Sequence, residues 1–77
     1  MASRTFPDPR RQLGCAIRRQ RLELRLSQEA LADRVGCHRN YVGNVERGEQ
    51  NVTFDMLIRF CSAMKCTAAQ LMDAAGI

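Results

Sequence analysis

The chain has 77 residues, 45% of them apolar, enough for one small domain with a single core, and this composition excludes wholesale disorder. No apolar run approaches the roughly 20 residues that cross a bilayer, and the opening MASRTFPDPR lacks the apolar stretch of a secretory leader, so a cytoplasmic protein with no membrane partner is expected. The net charge is +4, and eleven of the twelve basic residues are arginine, six of them (Arg10, Arg11, Arg18, Arg19, Arg21, Arg25) in one segment opposed only by Glu23. The planar guanidinium makes two-pronged bonds to phosphate and to guanine, so the choice of arginine favours a nucleic-acid partner over a merely solvated face.

Two prolines within the first nine residues predict a flexible arm over 1–9, leading into one domain over 10–77. Five helices and no strand are expected in that domain. Residues 10–24 carry Leu13, Ile17 and Leu24 at helical spacing. Ser27 precedes QEALADRV as a helix N-cap, Leu31 and Val35 supply the inner face, and Gly36 ends the helix in a left-handed conformation. A third helix is expected from His38 to Arg47, stopped by Gly48. Thr53 caps a fourth, with Leu57, Phe60, Cys61 and Met64 facing inward, and Thr67 opens a fifth, AAQLMDAA. Short gaps throughout predict a compact all-α unit.

Cys15, Cys37, Cys61 and Cys66 form no CxxC pair, and His38 stands at no zinc-ligand spacing from them. They read as small buried hydrophobes, with a thiol redox switch as the second reading. Nothing resembles GxSxG, a phosphate-cradling loop or a catalytic triad. No enzyme activity, metal or cofactor is therefore expected.

The third helix carries the most information. At about 100° per residue, Val42, Val45 and Tyr41 form a narrow inner stripe, while Asn40, Gly43, Asn44 and Arg47 gather on the opposite side. Arg39 and Glu46 lie on one boundary. Asparagine can bond adenine, and arginine guanine, through two atoms from the major groove. A glycine at the centre of that face costs about 1 kcal/mol of helix propensity relative to alanine, which is explained if something must approach closely. Two helices joined only by Gly36 and Cys37, the second polar on its outer face, make a helix-turn-helix.

LSQEALADRVGCHRNYVGNVERG, from Leu26 to Gly48, resembles the helix-turn-helix of the lambda-repressor-like, Cro-type family of DNA-binding domains, the XRE family. The similarity extends from Leu13 and Ile17 through NVTFDMLIRFCSAM to Leu71 and Met72. Small Ala32 lets the two helices approach, Gly36 makes the turn, and Val42 and Val45 lock the third helix in place. The resemblance implies that Arg39, Asn40 and Asn44 face base edges, with Gly43 among the base-contacting positions at one that often holds a small residue. Of the three readers, only Asn40 and Asn44 point outward on the wheel alone. It also implies phosphate contacts from Gln28, Arg47 and Asn51, and an ion pair between Arg21 and Glu46 linking the first and third helices. Tyr41 is open to two roles, packing or a phosphate contact through its hydroxyl. Arg25 and Lys65 stand where many members have a helix-ending glycine, so those turns are expected to be strained or redrawn. Gln50 occupies a loop position that is an arginine near the DNA in some restriction-modification controllers of this family.

The function so implied is that of a small single-domain transcriptional regulator, similar to those controllers, which binds double-stranded DNA at a roughly palindromic operator as a homodimer without a small-molecule effector. Leu71, Met72, Ala75 and Ile77, apolar residues of the last helix and tail, are the candidates for the dimer interface, with simple core packing as the equal reading of the same residues. The alternative is a protein-interaction module on the same fold, an antitoxin or adaptor with only secondary DNA binding.

Overall fold

The structure, a computed structural model, describes residues 8–77. Among them are five helices and no strand: α1 (Pro9–Glu23), α2 (Gln28–Val35), α3 (Arg39–Glu46), α4 (Phe54–Ala63) and α5 (Ala68–Ala75). Each helix starts where a side chain can accept one of the unpaired N–H groups of the first turn. Ser27 Oγ accepts from Ala30 N–H at 2.9 Å and Thr53 Oγ1 from Met56 N–H at 3.2 Å. Thr67 Oγ1 accepts from Gln70 N–H at 3.0 Å while Gln70 Oε1 accepts from Thr67 N–H at 2.9 Å, a reciprocal box. His38 caps α3, its Nδ1 accepting from Asn40 N–H at 3.0 Å. The third helix is thus one residue shorter at each end than expected, because His38 and Arg47 are its two caps. Of the expected arm, residues 1–7 lie outside the described residues; Asp8 caps α1 and Pro9 opens it.

Gly36 and Gly48 end α2 and α3 with φ of 84° and 77°. Arg25 and Lys65 adopt the same left-handed conformation, at 58° and 56°. The turns they make are not redrawn. Leu26 N–H donates to Arg21 O at 3.1 Å and Arg25 N–H to Leu22 O at 3.0 Å, and the end of α4 repeats the pattern with Cys66 to Cys61 O at 3.0 Å and Lys65 to Ser62 O at 3.2 Å. These crossed bonds satisfy the last carbonyls, at a cost of about 1–2 kcal/mol for each side chain held at positive φ.

One core joins all five helices. Ile17, Leu31, Val42, Val45, Phe60 and Met64 are its largest fully buried side chains, and burying a residue of this size contributes about 1.5–3 kcal/mol. α1 packs on α3 and α5, and α2 on α3 and α4. α1 and α3 approach tightly at Gly14, where an added Cβ would lie 2.7 Å from Glu46 O and nearer still to Val45 O. Leu71 and Ala75, open to a dimer interface or to core packing from the sequence, are buried in this core, 2% and 9% exposed. They complete the seam between α5 and α1 and so have almost no surface to offer a second chain.

Candidate nucleic-acid interface

The outer face of α3 depends on a buried polar cluster behind it. Arg21, near the end of α1, donates through Nε to Glu46 Oε2 at 2.6 Å and through Nη2 to Glu46 Oε1 at 3.0 Å. Its Nη1 donates to Leu26 O at 2.8 Å. Gln28, the first residue of α2, donates through Nε2 to Glu46 Oε1 at 3.1 Å. One carboxylate therefore ties the last residue of α3 to both other helices that meet there. Arg21 and Glu46 are 7% and 8% exposed, and among the described residues no buried side-chain nitrogen or oxygen lacks a partner. A buried pair of this kind fixes geometry more than it adds stability, but removing one partner strands the other charge. Of the six arginines clustered on α1 and its end, Arg21 is thus spent inside, while Arg10, Arg11, Arg18, Arg19 and Arg25 remain exposed.

Gln28, Arg39, Asn40, Gly43, Asn44 and Arg47 line one shallow, polar depression. Arg39 and Asn40 are exposed and Asn44 half-buried. Gly43 is buried, beneath the Arg47 guanidinium and the Gln28 amide, whose Nη1 and Oε1 lie 3.2 and 3.6 Å from where its Cβ would be. Arg47 donates through Nη2 to Asn44 Oδ1 and through Nε to Glu49 Oε1 at 3.1 Å. Tyr41 is half-buried, its ring centroid 6.3 Å from that of Phe60 at 31° between planes. Burial pushes its phenol pKa up, and the Cys37 thiol beside it pushes the same way. Asn51 is exposed on the loop between Gly48 and α4.

Two contributors were not singled out in the sequence. Arg59 of α4 donates through Nε and Nη2 to Val35 O at 3.0 and 2.8 Å and through Nη2 to Gly36 O at 3.2 Å. It caps the negative end of α2 and steadies the turn that sets the angle between α2 and α3. Glu49 is the second, a carboxylate on Arg47. A helix-stopping Gly48 with an acidic residue next to it was visible, but its partner depends on how the chain leaves α3.

Among the described residues no group of three or more His, Cys, Asp or Glu could hold a metal ion, and no helix is long and apolar enough to cross a membrane. The four cysteines are unpaired. The buried Cys61 thiol is pushed up to about 11 by its burial and by the neighbouring Cys66, and Cys37 is raised by burial against the opposing Arg59 charge.

A supporting helix, a left-handed glycine turn and a second helix with amides and guanidinium groups on its free face define a helix-turn-helix DNA-binding domain. The helix-turn-helix family HTH_3 matches residues 17–71, and the chain belongs to this XRE-type family of transcriptional regulators. It is 39% identical over 72 residues to control protein C.SmaI of Serratia marcescens, spanning 94% of this chain and 86% of that one. The restriction-modification controller protein C.AhdI from Aeromonas hydrophila superposes with a TM-score of 0.79 at 35% identity, over 80% of this chain and 94% of that chain. The clp gene regulator ClgR from C. glutamicum gives 0.88 at 27% identity, over 92% of each.

Proposed function

We propose that the chain is a sequence-specific transcriptional regulator of the restriction-modification controller kind, cytoplasmic and without catalytic activity, that binds a roughly palindromic operator as a homodimer. Two copies of α3 enter successive major grooves about 34 Å apart. The observation that carries this reading is the pairing of a rigid back with a polar front: Glu46 anchors α3 to α1 and α2, while Arg39, Asn40 and Asn44 share its open side. In this role Arg39, Asn40 and Asn44 read base edges, and buried Gly43 leaves room for the Arg47 guanidinium to lie across the α3 backbone. Gln28, Arg47 and Asn51 contact phosphates and set the register, with the Tyr41 hydroxyl as a further phosphate contact.

Self-association needs surface that the core has not consumed. Met72 is half-buried and Ile77 exposed, and on α4 Phe54 (72%) and Ile58 (42%), one turn apart, are left open. They support a dimer, and they equally favour the second reading, an antitoxin or adaptor that uses this face for another protein. Selection of sites from random duplex DNA separates the two. The regulator yields a two-fold symmetric consensus, and Asn44→Ala relaxes one base pair in each half. Recovery of no consensus would leave the interaction module as the better account.

A further inference from the structure

Asn44 stands on the reading face with one of its two functional atoms already engaged. Arg47 Nη2 donates to Asn44 Oδ1, and the same guanidinium is steadied from the other side by Glu49 Oε1 at 3.1 Å from its Nε. A guanidinium has only donors, so the amide atom that meets it is the oxygen, whichever way the carboxamide is drawn. Arg47 reaches this position by passing over Gly43, where its Nη1 lies 3.2 Å from the place a Cβ would take. The absent side chain at Gly43 thus makes room for the pair.

An isolated asparagine presents an acceptor beside a donor, the pattern complementary to adenine, whose N7 accepts and N6 amino group donates. The joined Asn44–Arg47 unit presents something else: the Asn44 amide hydrogens, the remaining Arg47 hydrogens, and an acceptor oxygen whose second lone pair lies beside a positive charge. An adenine N6 amino group would point its hydrogens at that charge. Guanine presents N7 and O6, both acceptors.

Building on the operator reading above, we infer that Asn44 and Arg47 act as one donor unit that selects a guanine, with Arg47 as the residue that sets the specificity of Asn44 and Glu49 as the residue that positions Arg47. A phosphate contact alone would make Arg47 matter equally for every sequence. The donor unit makes it matter most at one base pair.

Site selection from random duplexes with the unmodified chain, Asn44→Ala and Arg47→Ala tests this. The base pair relaxed by Asn44→Ala should be G·C in the unmodified chain's consensus, and Arg47→Ala should shift that position toward A·T while weakening binding overall. Should Arg47→Ala bind too weakly for selection, 7-deazaguanine at that base pair should weaken the unmodified chain about tenfold. An A·T pair at that position, a G·C preference untouched by Arg47→Ala, or indifference to 7-deazaguanine overturns the inference and leaves the operator reading standing. No base pair relaxed by Asn44→Ala also overturns it. No consensus from the unmodified chain overturns the operator reading and this inference together.

Discussion

Replacing Gly14 by alanine sets two physical effects against each other with opposite signs. Gly14 lies within α1, and helix propensity alone favours alanine there by about 1 kcal/mol. The packing opposes it. The new Cβ would sit 2.7 Å from Glu46 O and 2.9 Å from Glu46 C, against about 3.4 Å for ordinary contact, and closer again to Val45 O. These are backbone atoms, so no rotamer relieves the overlap; α1 and α3 must part by about 0.7 Å or more, which also strains the 2.6 Å and 3.0 Å bonds from Arg21 to Glu46. Overpacking costs about 1–3 kcal/mol, and rigid backbone partners place this case at the upper end. The net expectation is a loss of about 2 kcal/mol, seen as a fall of about 10 °C in Tm for a domain of this size and a matching shift in the urea midpoint. Gly43→Ala is the internal control, because its Cβ would meet only the mobile end of Arg47 at 3.2 Å and the Gln28 amide at 3.6 Å. It should leave stability unchanged or raise it by up to about 1 kcal/mol. If Gly14→Ala stabilised the protein as much as Gly43→Ala, the close α1–α3 approach argued from Gly14 would be wrong.

Glu46→Ala strands the Arg21 charge and the Gln28 amide together and should cost about 3–5 kcal/mol in urea unfolding; a cost under about 1 kcal/mol would mean that the pair behaves as a surface ion pair. Arg25→Gly and Lys65→Gly each relieve a left-handed side chain and should each raise stability by about 0.5–1 kcal/mol, the gain being reduced by the freedom glycine adds to the unfolded chain. Thermal unfolding of the two single variants checks this, and a loss at either site would contradict it. The raised Cys61 pKa means that the fold holds the neutral thiol more tightly than the unfolded chain does, so this contribution to stability is complete below the ordinary thiol value of 9.0 and is lost as pH climbs through about 11. Tyr41, also raised, has the same sign. Urea unfolding across that alkaline window should show falling stability, with a shallower fall in Cys61→Ala; an identical slope in the two proteins would remove Cys61 from the explanation.

Signals carried by adjacent residues were legible in the sequence. Ser27, Thr53 and Thr67 each cap the helix that follows them, and Gly36 and Gly48 each end the helix before them, because a cap bonds within three residues of itself. The helical wheel likewise separated Val42 and Val45 from Asn40 and Asn44. What required three dimensions was less visible. Gly14 gave no signal in the sequence, since its meaning lies in the backbone of α3 passing over it. Arg59 drew no notice in the sequence, because only the placing of α4 brings it to the end of α2. Leu71 and Ala75 shared their apolar character with true interface residues, and only packing assigns them to the core. Arg25 and Lys65 show the reverse case, in which a position usually filled by glycine keeps its geometry under a side chain because the crossed backbone bonds outweigh the strain.

The proposed role of α3 is to read a base sequence through Asn40 and Asn44 while Glu46 holds it in place. It is tested most directly by titrating a selected operator duplex and a scrambled duplex of equal length with the unmodified chain and with Asn40→Ala/Asn44→Ala, in one buffer of physiological salt. The unmodified chain should bind its operator at least about a thousandfold more tightly than the scrambled duplex, with two chains per operator. The double variant should keep its fold and its weak binding to the scrambled duplex while losing most of that preference. Equal affinity of the unmodified chain for both duplexes, or an undiminished preference in the double variant, would contradict it.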